Sequence, residues 1–326
     1  MITTKPPPQD VSADLAFGVA RFSLWHFWKP QYWLAWIGFG LLKTLLLLPS
    51  GLRSPIATGL GGLAFFIARR ERRVTLINLR LAFPALGETQ RRKLARQHFA
   101  SLIYSIFEAG MVWFGTRESL EKIIEFEGLE HLQAGLARGK GVLLLGAHYT
   151  TNEIAATALG LQPVPVDVMY RPTDHPLIQE LALRGRTRWG GRLIPNTQFV
   201  ELLRALKSNR VVLFAPDQRY IGEGHLSVPL FGVNALSNPA TTWIHRATQT
   251  TVLLYEQERL PNGHYRMRVL APRDGYPSKD AVADIQTYHA FIESLVQRVP
   301  EQYLWSYKRF RPLEGQPDPY RRNALR

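Results

Sequence analysis

The chain has 326 residues, 46% of them hydrophobic, and no cysteine. That is enough apolar material for one large packed domain, and it excludes a disulfide framework, a thiolate nucleophile and any cysteine-ligated metal. Lys and Arg (40) outnumber Asp and Glu (26) for a net charge of +14, a surface that attracts polyanions such as nucleic acid, anionic lipid or an acidic protein.

Residues 1–30 open with MITTKPPPQD and read as a flexible N-terminus and pre-anchor segment. Residues 31–49, QYWLAWIGFGLLKTLLLLP, follow as a membrane anchor helix whose only charge is Lys43. The stretch is slightly shorter than the ~20 apolar residues of a spanning helix. Trp25, Trp28, Tyr32, Trp33 and Trp36 crowd its start, as amphipathic rings do at a membrane interface. A single span or a steep interfacial anchor is expected, with a buried core helix as the rival. Arg53, the run ARRERR (68–73), Arg80, Arg91, Arg92 and Lys93 come after it, against Lys5, Arg21 and Lys29 before. Positive charge stays on the cytoplasmic side, so the body of the chain is expected to face the cytosol.

Residues 50–118 read as a basic helical segment, with apolar periodicity over 89–114. Residues 119–326 read as a catalytic α/β region. GVLLLGAH (141–148), PVPVDVMYRP (163–172) and RVVLFAPDQ (210–218) are buried strands, and 250–260 with 264–272 make a hairpin around Asn262-Gly263. Helices are expected over 152–160, 175–189, 198–208, 238–248 and 280–298. Strands alternating with helices predict a mixed β-sheet flanked by helices.

His148 ends the first of these strands, and Glu153 sits in the turn that opens the next helix. In one continuous helix the two would point about 140° apart. Across a strand-to-helix corner both can face the crevice beyond the sheet's carboxyl edge. Glu153 would then hold the imidazole while His148 takes a proton from a hydroxyl. Arg171 ends the second strand, and Asp217, Gln218 and Arg219 the third, which predicts one polar cluster on three strand ends. The bland alternative for Arg171 is a salt bridge to Asp217. No serine lies close to the pair, so the substrate's own hydroxyl is the expected nucleophile. No phosphate loop or metal-ligand spacing is present, so no metal and no bound cofactor is expected.

PQYWLAWIGFGLL, RRERRVTLINLRLAFP, HYTTNE, YRPTDHPL, FAPDQRYIGEGHLSVPLFG and PEQYLWSYKRFRP together resemble the lipid A biosynthesis lauroyl/myristoyl acyltransferases of Gram-negative bacteria. The resemblance covers nearly the whole chain. It departs mildly at RFRPLEG, where a longer RF+TRPEG pattern, with a basic residue and a threonine, is expected. The resemblance implies a glycerolipid acyltransferase-like fold with an N-terminal membrane-anchoring helix, in the bacterial inner membrane. It implies transfer of a fatty acyl chain, lauroyl-type favoured, from acyl carrier protein to a 3-hydroxyacyl chain of Kdo2-lipid IVA or its penta-acyl product. His148 would be the base, Glu153 its orienting carboxylate, and Arg171 the oxyanion donor, with the helix-start amides after His148 as its rival. Asp217 and Gln218 would position loops or the acceptor. Arg184, Arg186, Arg188 and Arg192 are candidates for the acceptor's phosphates and carboxylates. Acyl carrier protein, the lipid A precursor and anionic membrane lipids are the expected partners, and nucleic acid is not. The alternatives are a glycerophospholipid or ornithine-lipid acyltransferase, and a basic membrane-binding protein without chemistry.

Overall fold

The structure, a computed structural model, describes residues 22–321. Most of the segment expected to be a flexible N-terminus therefore lies outside the described residues. The residues expected to anchor the chain form α1 (Trp33–Leu45), 13 residues in length and so about 20 Å long. That is well short of the ~30 Å hydrocarbon core of a bilayer. Among the described residues, no single helix is long and apolar enough to cross a membrane. The expected spanning segment is thus a short surface helix. Leu42 packs inward, whereas Trp33, Leu34, Ile37 and Leu41 stay exposed.

Three more helices complete the N-terminal half. α2 (Ser50–Ile67) and α3 (Arg69–Ala82) meet at 97° across a break at Ala68, and α4 (Glu88–Phe114) runs for 27 residues. Gly61 explains the tight crossing of α2 and α4. A Cβ there would lie 2.5 Å from the Ala100 backbone, so only glycine lets the two helices approach so closely.

A short α5 (Arg117–Glu121) leads into β1 (Ile124–Glu127) and α6 (Leu129–Ala137). Next come β2 (Val142–Leu145), α7 (Asn152–Gly160), β3 (Val166–Tyr170), α8 (Pro176–Thr187), β4 (Arg192–Pro195), α9 (Phe199–Lys207) and β5 (Val211–Phe214). The chain continues through β6 (Leu226–Leu230), β7 (Val233–Ser237), α10 (Ala240–Thr248), β8 (Thr251–Arg259), β9 (Tyr265–Val269) and α11 (Ala281–Arg298). One seven-stranded sheet runs in the order β1-β9-β8-β2-β5-β3-β4. Its pairings are parallel except for the β8–β9 hairpin. β6 and β7 form a separate antiparallel pair.

β2 lies at the middle of the sheet, and all four of its residues are fully buried. Its side chains alternate between faces. Leu143 and Leu145 join the core beneath α9, α10 and α11, while Val142 and Leu144 join the core beneath α7. A strand covered on both faces has no polar side, which is why VLLL reads as a continuous apolar run. Burying each leucine contributes on the order of 2 kcal/mol, so β2 is a rigid base for whatever follows it.

Candidate active site at the carboxyl edge of the sheet

His148 lies three residues beyond the end of β2, and Asp217 three beyond the end of β5. The two strands pair in parallel with Val142 opposite Val211 and Leu145 opposite Phe214. That offset is 69 residues, and His148 and Asp217 are separated by the same 69. The register of the sheet therefore sets the two residues side by side once the strands have ended. The Nδ1–H of His148 donates to Asp217 Oδ1 at 2.5 Å, and the His148 backbone amide donates to Oδ2 at 3.0 Å. The Tyr303 hydroxyl donates to the same Oδ2 at 3.3 Å.

Asp217 is 1% exposed, whereas the His148 side chain is 30% exposed. Burial pushes the Asp217 carboxyl up, but the charge and hydrogen bonds of His148 outweigh it and hold the group ionised below its usual range. Burial pulls the imidazole down, and the charge and hydrogen bond of Asp217 more than reverse that, leaving the His148 pKa above its usual value. With Nδ1 tied to a buried carboxylate, Nε2 is the open nitrogen. A histidine so held can accept a proton there and keep it.

The loop that carries His148 is held at several points along its backbone. The Gly146 amide donates to the Phe214 carbonyl at 3.0 Å, and the Tyr288 hydroxyl donates to the Gly146 carbonyl. Gln257 Nε2 donates to the Ala147 carbonyl at 2.9 Å and to Asn152 Oδ1 at 2.6 Å. The C-terminal segment adds a bridge between Tyr149 and Tyr303, with Leu304 N–H donating to the His148 carbonyl and Thr150 N–H to that of Gln302. These bonds fix the backbone that carries the histidine before any substrate arrives.

Several expected roles are reassigned. Glu153 does not touch His148: its carboxylate is gripped by Arg186, whose Nε lies 3.1 Å from both oxygens and whose Nη2 makes a further short bond to Oε1. The fork joins the first turn of α7 to α8. Burial raises the Glu153 pKa, but the Arg186 charge and hydrogen bond prevail and hold it below its usual value. Asp217, expected to position loops or the acceptor, is the carboxylate that orients the imidazole. The difference arises because β5 inserts between β2 and β3 in the sheet, an order that chain position does not show.

Arg186 is thereby committed to Glu153, and Arg188 donates to the carbonyls of Trp113 (2.6 Å) and Gly115 (3.0 Å). Arg184 pairs with Glu180 and donates to the Phe22 carbonyl, and Arg192 grips Asp167. Each of these arginines fastens one part of the chain to another. Arg171 follows β3, is exposed, and forms no ion pair with a described acid, so the alternative salt bridge to Asp217 does not form. Gln218 is half-buried next to Asp217. Arg219 donates to the carbonyls of Arg311 and Pro312 in the tail. The amides of His148, Tyr149 and Thr150 already donate to Asp217, Asn152 and Gln302; the helix start of α7 lies beyond them, at Asn152.

Two residues escaped the sequence reading. Tyr303 and Gln302 reach the site from the far end of the chain, and the only signal for them lay in the PEQYLWSYKRFRP segment that contains them.

A partly exposed histidine held by a buried aspartate, on the carboxyl edge of a largely parallel sheet, is an arrangement found in α/β enzymes. Residues 21–312 match the family model for the bacterial lipid A biosynthesis acyltransferases. The chain is 34% identical over 295 residues to the lipid A biosynthesis lauroyltransferase of Escherichia coli strain K12, covering 89% of this chain and 96% of that protein. It is 31% identical over 297 residues to the palmitoleoyltransferase of the same strain, covering 90% and 96%. With the myristoyltransferase of that strain it shares 24% over 302 residues, covering 92% and 94%. The chain belongs to the bacterial lipid A biosynthesis acyltransferase family, and it is an acyltransferase.

Proposed function

We propose that the protein transfers a fatty acyl chain, lauroyl-type favoured, from the thioester of acyl carrier protein to the free 3-hydroxyl of an acyl chain on Kdo2-lipid IVA or its penta-acyl product. The observation that carries this is the 2.5 Å bond from His148 to buried Asp217 with Nε2 left open. Nε2 takes the proton of the acceptor hydroxyl as its oxygen attacks the thioester carbonyl carbon. The tetrahedral intermediate collapses, the carbon–sulfur bond breaks, and the imidazolium returns its proton to the departing thiolate. Asp217 stabilises the imidazolium between the two transfers. Arg171 is the oxyanion donor in this scheme, supported by its exposed, unpaired guanidinium at a strand end; such donors contribute roughly 3–4 kcal/mol. The 34% identity to a lauroyltransferase supports the favoured chain length.

The protein sits on the cytoplasmic face of the inner membrane in this reading. Support comes from the exposed Trp33, Leu34, Ile37 and Leu41 of α1 and Leu60, Leu63, Phe66 and Ile67 of α2. Stripes of this kind bury themselves at the headgroup–acyl boundary without spanning. The basic surface suits an acidic carrier protein and anionic lipids.

Incubating the purified protein with acyl carrier protein thioester and the lipid A precursor, then weighing the product by mass spectrometry, tests the proposal. A mass gain of one acyl chain on the precursor is expected. Acylation of lysophosphatidate or an ornithine lipid, with the precursor untouched, overturns it.

A further inference from the structure

A cleft of about 1040 Å³ opens between α2, α4 and the β8–β9 turn, and His148 is not among its lining residues. One wall is lined by small residues, including Ala57 and Gly62 of α2 and Ala100 of α4. Five cations, Arg53, Arg92, Lys93, Arg96 and Arg259, line it among uncharged residues, with Glu301 as its acid. Arg92 is neutralised by Glu88 at 3.0 Å and Arg259 by Glu108 at 2.6 Å. Lys93 and Arg96 are exposed, and neither forms an ion pair with a described carboxylate. Arg53 spends Nη1 and Nη2 on Met111 and the Leu46 carbonyl, and its Nε is buried without a hydrogen-bond partner.

We propose that this cleft binds the phosphate of an anionic membrane lipid's headgroup. The proposal deepens the membrane placement above and rests on it. The exposed apolar stripe on α2 (Leu60, Leu63, Phe66, Ile67) belongs to the helix that forms one wall, so a lipid can keep its chains in the bilayer while its phosphate enters the cleft. Arg96 already lies over the Phe65 ring at 5.5 Å, a contact made by the guanidinium face, so its N–H edge can donate to an oxyanion. The volume suits a lipid headgroup of ordinary size.

The floor of the cleft also touches the catalytic loop. Arg259 donates to Ser101, and the Ser101 hydroxyl bonds that of Thr150 at 2.7 Å, two residues after His148. The headgroup site is therefore joined to the site of chemistry by one hydrogen-bonded chain.

The test is binding to vesicles, read without turnover, so it is independent of which acyl acceptor is used. The full-length protein is expected to bind phosphatidylglycerol vesicles, and the double variant Lys93→Gln/Arg96→Gln to bind them about 30-fold more weakly, at about tenfold per 1.4 kcal/mol and roughly 1 kcal/mol for each cation. Its binding to phosphatidylcholine vesicles should match the parent. A control of equal charge loss at exposed sites outside the cleft's lining, Lys140→Gln/Lys207→Gln, is expected to bind phosphatidylglycerol as the parent does. Equal weakening in both double variants shows that net charge alone is read, and overturns the site. Parent-like binding by Lys93→Gln/Arg96→Gln overturns it as well. Displacement of the protein from vesicles by millimolar inorganic phosphate overturns the assignment to a lipid. Absence of binding by the parent to either vesicle removes the membrane placement and this proposal with it, while acyl transfer in detergent would still stand.

Discussion

The imidazole of His148 and the carboxylate of Asp217 share a 2.5 Å hydrogen bond, although 69 residues separate them. The nearer acid, Glu153, is held away by Arg186. Which carboxylate serves the histidine is therefore decided by strand pairing, and each acid makes a different prediction.

Replacing Asp217 with Asn keeps the shape and removes the charge. Turnover is expected to fall by about 10²–10⁴-fold, the usual contribution of a working general base. The pH profile carries a sharper signature. Asp217 holds the His148 pKa above its usual value, so in the parent the neutral, active base appears only at higher pH. Without the charge the acid limb of kcat/KM should move to lower pH. A variant whose rate falls while its acid limb stays in place means that Asp217 does not orient the base.

Glu153→Gln tests the other acid. The Arg186 guanidinium, 27% exposed, loses its carboxylate partner, and breaking a largely buried pair costs about 3 kcal/mol. Chemical denaturation should show that loss, and the acid limb of activity should not shift. A shifted limb with unchanged stability would return Glu153 to the role that chain position first suggested for it.

Asn78 is a fully buried joint between α3 and the C-terminal tail. Its side-chain amide donates to the carbonyls of Trp305 (2.6 Å) and Tyr307 (2.7 Å), and its oxygen accepts from the Tyr320 hydroxyl. Asn78→Ala strands these groups, at about 1–3 kcal/mol for each buried group left unsatisfied. Limited proteolysis should then cut the tail near residues 305–320 sooner than in the parent. Because Tyr303 touches Asp217, activity should drop in step with the cleavage.

His98 and His289 are buried, and burial is the main cause lowering both to about 4. Between the unfolded value near 6.5 and about 4, the unfolded chain binds protons that the folded chain refuses. Stability that is present above pH 6.5 is therefore lost as pH falls towards 4, at about 1.4 kcal/mol per pH unit for each histidine. Urea unfolding across this window measures the slope. His98→Gln should lower it by about half of that contribution, and an unchanged slope would refute the assignment.

Local pattern made most of the elements readable. The apolar run 141–148 holds β2, the Asn262-Gly263 turn joins β8 to β9, and the helices expected at 152–160, 175–189, 198–208 and 280–298 are α7, α8, α9 and α11. The β6–β7 hairpin passed unnoticed because its turn is Phe231-Gly232, both with positive φ (52° and 73°). Phenylalanine is a rare choice where Asn or Asp is the usual signal. The short β1 and β4 are edge strands of four residues, too brief to show a period.

By itself the sequence determined an α/β enzyme with His148 at a strand end, because burial on both faces leaves an apolar run that must stop where polar chemistry begins. Its block motifs also carried the acyltransferase family. Only the tertiary structure decided the partner of that histidine and the duties of the arginines. Parallel strands take their neighbours from distant parts of the chain, and spacing along the sequence carries no record of that order. The same holds for the short α1, whose apolar composition resembles a span while its 13 residues lie on the surface: composition measures affinity for lipid, and only folded length decides whether a bilayer can be crossed.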